Sequence, residues 1–206
     1  MVGGQGGAGG AGGAAGMAAG SGGMGGMGGM TGGAGGMAGM TGGAGGMGGG
    51  AFELTSTAVM NDAMLPAMYR CESLFGAPGP SPPLAWTAGP AGTMSYTLIL
   101  KDTSPAGTTG MGTFHWVIKN IPMATMGFPD PIPVGAMPAN VSGATQIMNG
   151  IGDLGYRGPC GGMNDYTFTL YAVNKASISA TAAAMVETEA IANNVGTATL
   201  LIHSAP

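Results

Sequence analysis

Ser95-Tyr96-Thr97-Leu98-Ile99-Leu100-Lys101-Asp102 and, after a break rich in Gly and Thr, His115-Trp116-Val117-Ile118-Lys119-Asn120-Ile121-Pro122 are two short apolar runs bounded by turn residues. Runs of this length, rich in Ile, Val, Thr and aromatic residues, read as strands. Working outward, strands are expected at Phe52–Val59, Met68–Cys71, Leu84–Thr87, Ser95–Lys101, Thr113–Asn120, Tyr166–Val173 and Thr197–His203. Only Ser179 to Asn193 reads as a helix: it is Ala-rich, lacks Gly and Pro, and carries Glu187 and Glu189 ahead of an Asn193-Asn194 stop. The expected fold class is mainly β, a sandwich or barrel with one late α-helix. Proline-rich stretches at 78–83 and 129–138 read as ordered loops on which a site can be built.

Upstream of this domain the composition changes completely. The first fifty residues hold 28 glycines and no charged side chain, and larger residues recur at every third position, as in Met24-Gly25-Gly26-Met27-Gly28-Gly29-Met30. The octet Met-Thr-Gly-Gly-Ala-Gly-Gly-Met occurs at 30–37 and again at 40–47, which is an internal repeat. Two organisational units follow, a Gly/Met-rich repeat tract at 1–50 and a folded domain at 51–206. Glycine loses the most entropy on ordering, so an isolated tract reads as a flexible linker. Assembled with copies of itself, it fits a polyproline II or polyglycine II helix of three residues per turn. Its side chains then line one edge, with two bare glycine edges for close approach. In that arrangement Met24, Met27, Met30, Met37, Met40 and Met47 are the expected assembly contacts, because thioether side chains pack adaptably, and self-association would run through residues 3–50.

Charge narrows the partners. Five Lys or Arg against nine Asp or Glu supply no basic patch for a phosphate backbone, so nucleic acid is not an expected partner. No run of eighteen apolar residues is present, so no transmembrane segment is expected. The Met1-Val2-Gly3 start lacks the features of a signal peptide, and an exported protein would carry its leader outside this sequence. Low charge with abundant Ala, Gly, Thr and Ser nevertheless points to an extracellular or cell-surface location. Cys71 and Cys160 are either one disulfide, with an oxidising compartment implied, or two separate thiols.

Four segments in order resemble one known family. Ser81-Pro82-Pro83-Leu84-Ala85-Trp86 with the strand to Asp102, His115-Trp116-Val117, Gly155-Tyr156-Arg157-Gly158-Pro159-Cys160 and Tyr166-Thr167-Phe168-Thr169-Leu170-Tyr171-Ala172 are similar to the signatures of the phosphatidylethanolamine-binding protein family, in its bacterial-type branch. The resemblance runs from about Phe52 to Ser204 and leaves the glycine tract uncovered. It implies a β-sandwich with a small anion-binding cavity at one end, and makes Cys71 and Cys160 candidates for a bridge.

The resemblance also implies a ligand set: Asp102, His115 and Tyr166 match the family's cavity residues, while Asn164 stands where a second His is usual. Ser104 replaces a second Asp, Asp165 replaces an Arg, and the glycine-proline loop shortens to Gly161-Gly162-Met163. Losing a cation and gaining Asp165 should weaken the hold on phosphate. The chemistry expected of the set is that Asp102 accepts from one His115 nitrogen and raises its pKa, freeing the other to donate to an anion. Tyr166 and Asn164 add neutral donors. His203 is expected at the core or rim. No Gly-x-Ser-x-Gly elbow is present and no cysteine has a His near it in sequence, so no catalytic residue and no enzymatic activity is expected. Two histidines 88 positions apart, at 115 and 203, make no recognisable metal set, and no cofactor is expected. The sequence thus supports an exported, non-enzymatic domain with a residual site for a small anion or phospholipid headgroup, displayed on a glycine-rich stalk. The alternative is a structural subunit of an extracellular fibre or bundle built through the tract.

Overall fold

The structure of the protein is a computed structural model that describes residues 50–71, 79–104, 114–129, 131–160 and 162–204. The glycine tract up to residue 49, including the six expected assembly methionines, lies outside the described residues. Among the described residues are nine strands: β1 Leu54–Thr55, β2 Ala63–Met64, β3 Leu84–Trp86, β4 Ser95–Asp102, β5 Phe114–Pro122, β6 Gly127–Phe128, β7 Thr145–Ile147, β8 Asp165–Val173 and β9 Asn194–His203. One helix, α1 Ala183–Ala192, stands between β8 and β9. A six-stranded sheet has the order β2-β9-β8-β4-β5-β7, and a three-stranded sheet the order β1-β3-β6. The expected mainly β sandwich with one late helix is what forms.

The apolar run of β4 is continuous because that strand is covered on both faces. Successive side chains of a strand point to opposite sides. Tyr96, Leu98 and Leu100 enter the core between the two sheets, with Trp86, Trp116 and Phe128. Ile99 points the other way, into a smaller cluster with Val117, Tyr171, Val186 and Ala190 under α1. Trp86 meets Phe128 edge to face at 5.1 Å, which fastens the small sheet to the core. Fully burying each such side chain stabilises the fold by about 1.5–3 kcal/mol.

Several expected elements are shortened or replaced. The strand expected over Phe52–Val59 pairs only at Leu54–Thr55, because Ser56 Oγ donates to the carbonyl of Pro83 and accepts from the amide of Ala58, turning the chain. Met68–Cys71 contains no strand. Pro66 instead leads into a 3-10 turn at Ala67–Tyr69, with the amides of Tyr69 and Arg70 bonded to Pro66 and Ala67 carbonyls. The helix begins later than Ser179, since Glu189 takes the amides of Ser179 and Ala180 and Lys119 Nζ takes the carbonyls of Ile178 and Ala180. β2, β6 and β7 are two or three residues long, too short to carry a periodic signal.

His203 ends β9 at the sheet rim, held between two carboxylates. Its Nδ1 is 2.7 Å from Asp165 Oδ1 and its Nε2 2.9 Å from Asp62 Oδ1. Asp62 immediately precedes β2, which runs parallel to β9 with Met64 opposite His203, so the imidazole ties the edge strand to its neighbours. Carboxylates only accept, so both ring nitrogens donate and the bound form is the cation. Bonds to Asp62 and then Asp165 raise its pKa above 6.5. A raised folded pKa means that the clamp's contribution is complete below pH 6.5 and is lost as pH rises through the folded value. Urea unfolding followed from pH 6 to 9 should show wild-type stability declining relative to His203→Gln; parallel pH profiles for the two proteins would refute the clamp.

Candidate functional site

Strand register gathers the expected residues at one end of the six-stranded sheet. Asp102, last in β4, is the cross-strand partner of Tyr166 in β8, and Lys101 is the partner of Phe114 in β5. His115 therefore enters beside them. Alternation sorts the next three positions: Asn164 and Tyr166 are buried and Asp165 between them is exposed. The Asp165 carboxylate is engaged with His203 on the rim. The expectation that Asp165 burdens the site with negative charge is thus corrected, because the strand turns that side chain outward.

His115 is buried, with Nδ1 3.2 Å from the carbonyl oxygen of Arg157. A carbonyl can only accept, so Nδ1 carries the proton, and in the neutral ring Nε2 is an acceptor. The Arg157 amide returns a bond to the His115 carbonyl at 2.9 Å, and Asn149 Nδ2 donates to that carbonyl and to Gly155. The ring sits edge to face with Tyr166, centroids 4.9 Å apart. This corrects the expected tautomer lock: the Arg157 backbone holds Nδ1, and Asp102 acts on the ring only through its charge. The expected rise in pKa is reversed as well. Burial outweighs the Arg157 carbonyl, the Asp102 charge and the Gly158 backbone, and the His115 pKa lies below 6.5.

Asp102 has its own partners. Oδ1 accepts from the amide of Ser104 at 2.9 Å and Oδ2 from Asn164 Nδ2 at 3.3 Å. Ser104 in turn accepts from the Asp165 amide at 2.8 Å, so the residue at the family's second acidic position links the ends of β4 and β8. Burial raises the Tyr166 pKa, opposed by the side chains of Asn164 and Ser204, and the phenol stays a neutral donor at physiological pH. Asn164, Asp102, His115 and Tyr166 form one contiguous group. Two cavities outlined by described residues, about 610 Å³ beside α1 and 430 Å³ beside β3 and β6, lie elsewhere.

The floor of this end is pinned covalently. Cys71 and Cys160 form a disulfide with Cα atoms 5.1 Å apart, closing a separation of 89 residues. A loop of that length is worth about 4–5 kcal/mol in the chain-entropy account. Gly158 fits beneath it because a Cβ there would come within 2.3 Å of the Tyr69 carbonyl and 2.9 Å of Arg70 Cα. Tyr156 donates to the same Tyr69 carbonyl at 2.6 Å. Arg70 thereby lies against the loop that holds His115. Its Nε is buried without a partner, and its side chain makes no ion pair among the described residues.

The phosphatidylethanolamine-binding protein family pattern matches residues 55–204. The chain belongs to that family. A UPF0098 protein of Methanothermobacter thermautotrophicus is 38% identical over 122 residues, spanning 57% of this chain and 74% of the relative. The UPF0098 protein YbcL of Escherichia coli is 32% identical over 159 residues, 72% of this chain and 84% of its own length. The YbcL crystal structure, described as a new member of the mammalian family, superposes with a TM-score of 0.67 at 27% identity, covering 76% of this chain and 99% of that one.

Sequence reasoning does not reach Asn149, Ser204, Arg70 or the Arg157 carbonyl. The Gly-Pro loop motif carries the one available signal, since a loop that tight presents backbone groups rather than side chains. The site generates a direct check. A depressed His115 pKa means that the neutral ring contributes stability above pH 6.5, lost as pH falls through the folded value. Imidazole resonances followed by NMR should show His115 titrating below 6.5 and His203 above it; His115 titrating above 6.5 would overturn the assigned lock.

Proposed function

We propose that this end of the sheet binds a phosphate-bearing small molecule or polar headgroup without transforming it, in an exported domain carried on its glycine-rich tract. The observation that carries the reading is the state of His115: Nδ1 is tied to the Arg157 carbonyl, which in the neutral ring leaves Nε2 as an acceptor. An imidazole so held can accept from a monoprotonated phosphate, or take up a proton and donate to a dianion. Tyr166 and Asn164 supply neutral donors beside it. The Cys71–Cys160 bridge supports an oxidising compartment. No Ser, Cys or Thr nucleophile is paired with a base in this group, which favours binding over catalysis.

Calorimetric titration of the full chain with O-phosphorylethanolamine and with inorganic phosphate tests the reading and separates headgroup from free anion. Binding should strengthen from pH 7.5 to 5.5, because protonating His115 adds a charge and a donor. His115→Ala should weaken it by roughly tenfold, the size of one lost charge-assisted bond. No heat from either ligand at pH 5.5 would dismiss the function. Binding that is indifferent to the substitution would place the ligand elsewhere.

A further inference from the structure

Methionine is ordinarily among the more buried residue types, yet here every described one is on the surface. Eleven methionines follow residue 50; Met111 lies outside the described residues, and the other ten are all exposed, from 43% at Met126 to 83% at Met137. Neither hydrophobic cluster contains a methionine. The ten are spread over the whole domain: Met64 is on the edge strand β2, Met94 precedes β4, Met148 follows β7, Met163 precedes β8 and Met185 is on α1. A single docking patch would concentrate them; this distribution does not.

Most other oxidisable side chains are withheld. Both cysteines are in the disulfide and no free thiol exists among the described residues. Trp86 and Trp116 are buried, as are Tyr96, Tyr156 and Tyr166. An oxidant arriving at this surface therefore meets a thioether before any group whose modification would disturb the core. Sulfoxide formation makes methionine polar and disrupts cores that contain it. A core built wholly from Leu, Ile, Val, Ala and aromatic residues has no such liability.

We propose that the surface methionines are a sacrificial site for two-electron oxidants, with hydroperoxides as the substrate class. A sulfur lone pair attacks the terminal hydroxyl oxygen of the peroxide, the S–O bond forms as the O–O bond breaks, and the departing hydroxide or alkoxide takes the proton of the transferred hydroxyl, leaving a neutral sulfoxide and water or an alcohol. Sulfur is oxidised by two electrons and the peroxide is reduced by two, so no further reactant is required. Sulfoxide reductases return the side chain to its starting state, with a thiol donor supplying the two electrons and the oxygen leaving as water.

The test uses the full chain, hydrogen peroxide, peptide mass mapping and thermal unfolding. Peptides separate the domain methionines from those of the tract. Each described methionine should gain one oxygen at a rate within about threefold of free N-acetylmethionine, and the fully oxidised protein should unfold within about 2 °C of the reduced one. Leu98→Met, which places a thioether in the core, should oxidise slowly and lose several degrees once it does. Protection of most surface methionines would show that another surface covers them and would overturn the proposal. So would a wild-type protein that loses its fold on oxidation, or an oxidised Leu98→Met variant as stable as the parent.

Discussion

Burial of β4, β5 and β8 on both faces is the constraint on which everything else rests. When one face of a strand is polar, a slip in register costs only a change of neighbours on that side. Here a slip of one residue would carry Leu98 and Leu100 out of the inter-sheet core and force Ile99 into it, exchanging two complementary sets at once. The register is therefore strongly specified, and it sets Asp102 opposite Tyr166. The functional end of the sheet is assembled by the same apolar residues that make the core, several residues away from any ligand.

What the register begins, the backbone of the 155–160 segment completes. At Gly158 this tight segment has no room for a side chain, since a Cβ there would come within 2.3 Å of the Tyr69 carbonyl. It presents carbonyls instead, and the carbonyl of Arg157 fixes the His115 tautomer. A carbonyl lock differs from a carboxylate lock in one respect that matters for binding. It orients the ring without holding it charged, so the ring stays neutral until a ligand or falling pH supplies a proton.

The long central strands are legible in the sequence because a short, continuous apolar run of β-branched and aromatic residues fits a strand buried on both faces and little else. The site is half legible. Family motifs single out Asp102, His115, Asn164 and Tyr166, which are adjacent in space, but not their bonding, since tautomer and pKa depend on carbonyl positions and burial that residue types do not encode. Asp165 misleads for a simpler reason: its neighbours alternate, and a strand beginning at that residue turns it to the rim. Arg70 is invisible because nothing in Tyr69-Arg70-Cys71 announces that the bridge and Gly158 will draw it against the His115 loop. The short strands β2, β6 and β7 take their identity from their pairing partners alone.

The central claim is that His115 is a neutral, backbone-tethered imidazole offering Nε2 to a phosphate-bearing ligand. Long-range nitrogen–proton correlation of the His115 ring at pH 7, recorded before and after O-phosphorylethanolamine is added, observes both nitrogens separately. The account predicts a protonated Nδ1 and an unprotonated Nε2 in the free protein, with the Nε2 resonance moving on ligand addition while Nδ1 remains hydrogen-bonded. A protonated Nε2 in the free protein, or spectra of this ring that do not change at saturating ligand, would contradict it.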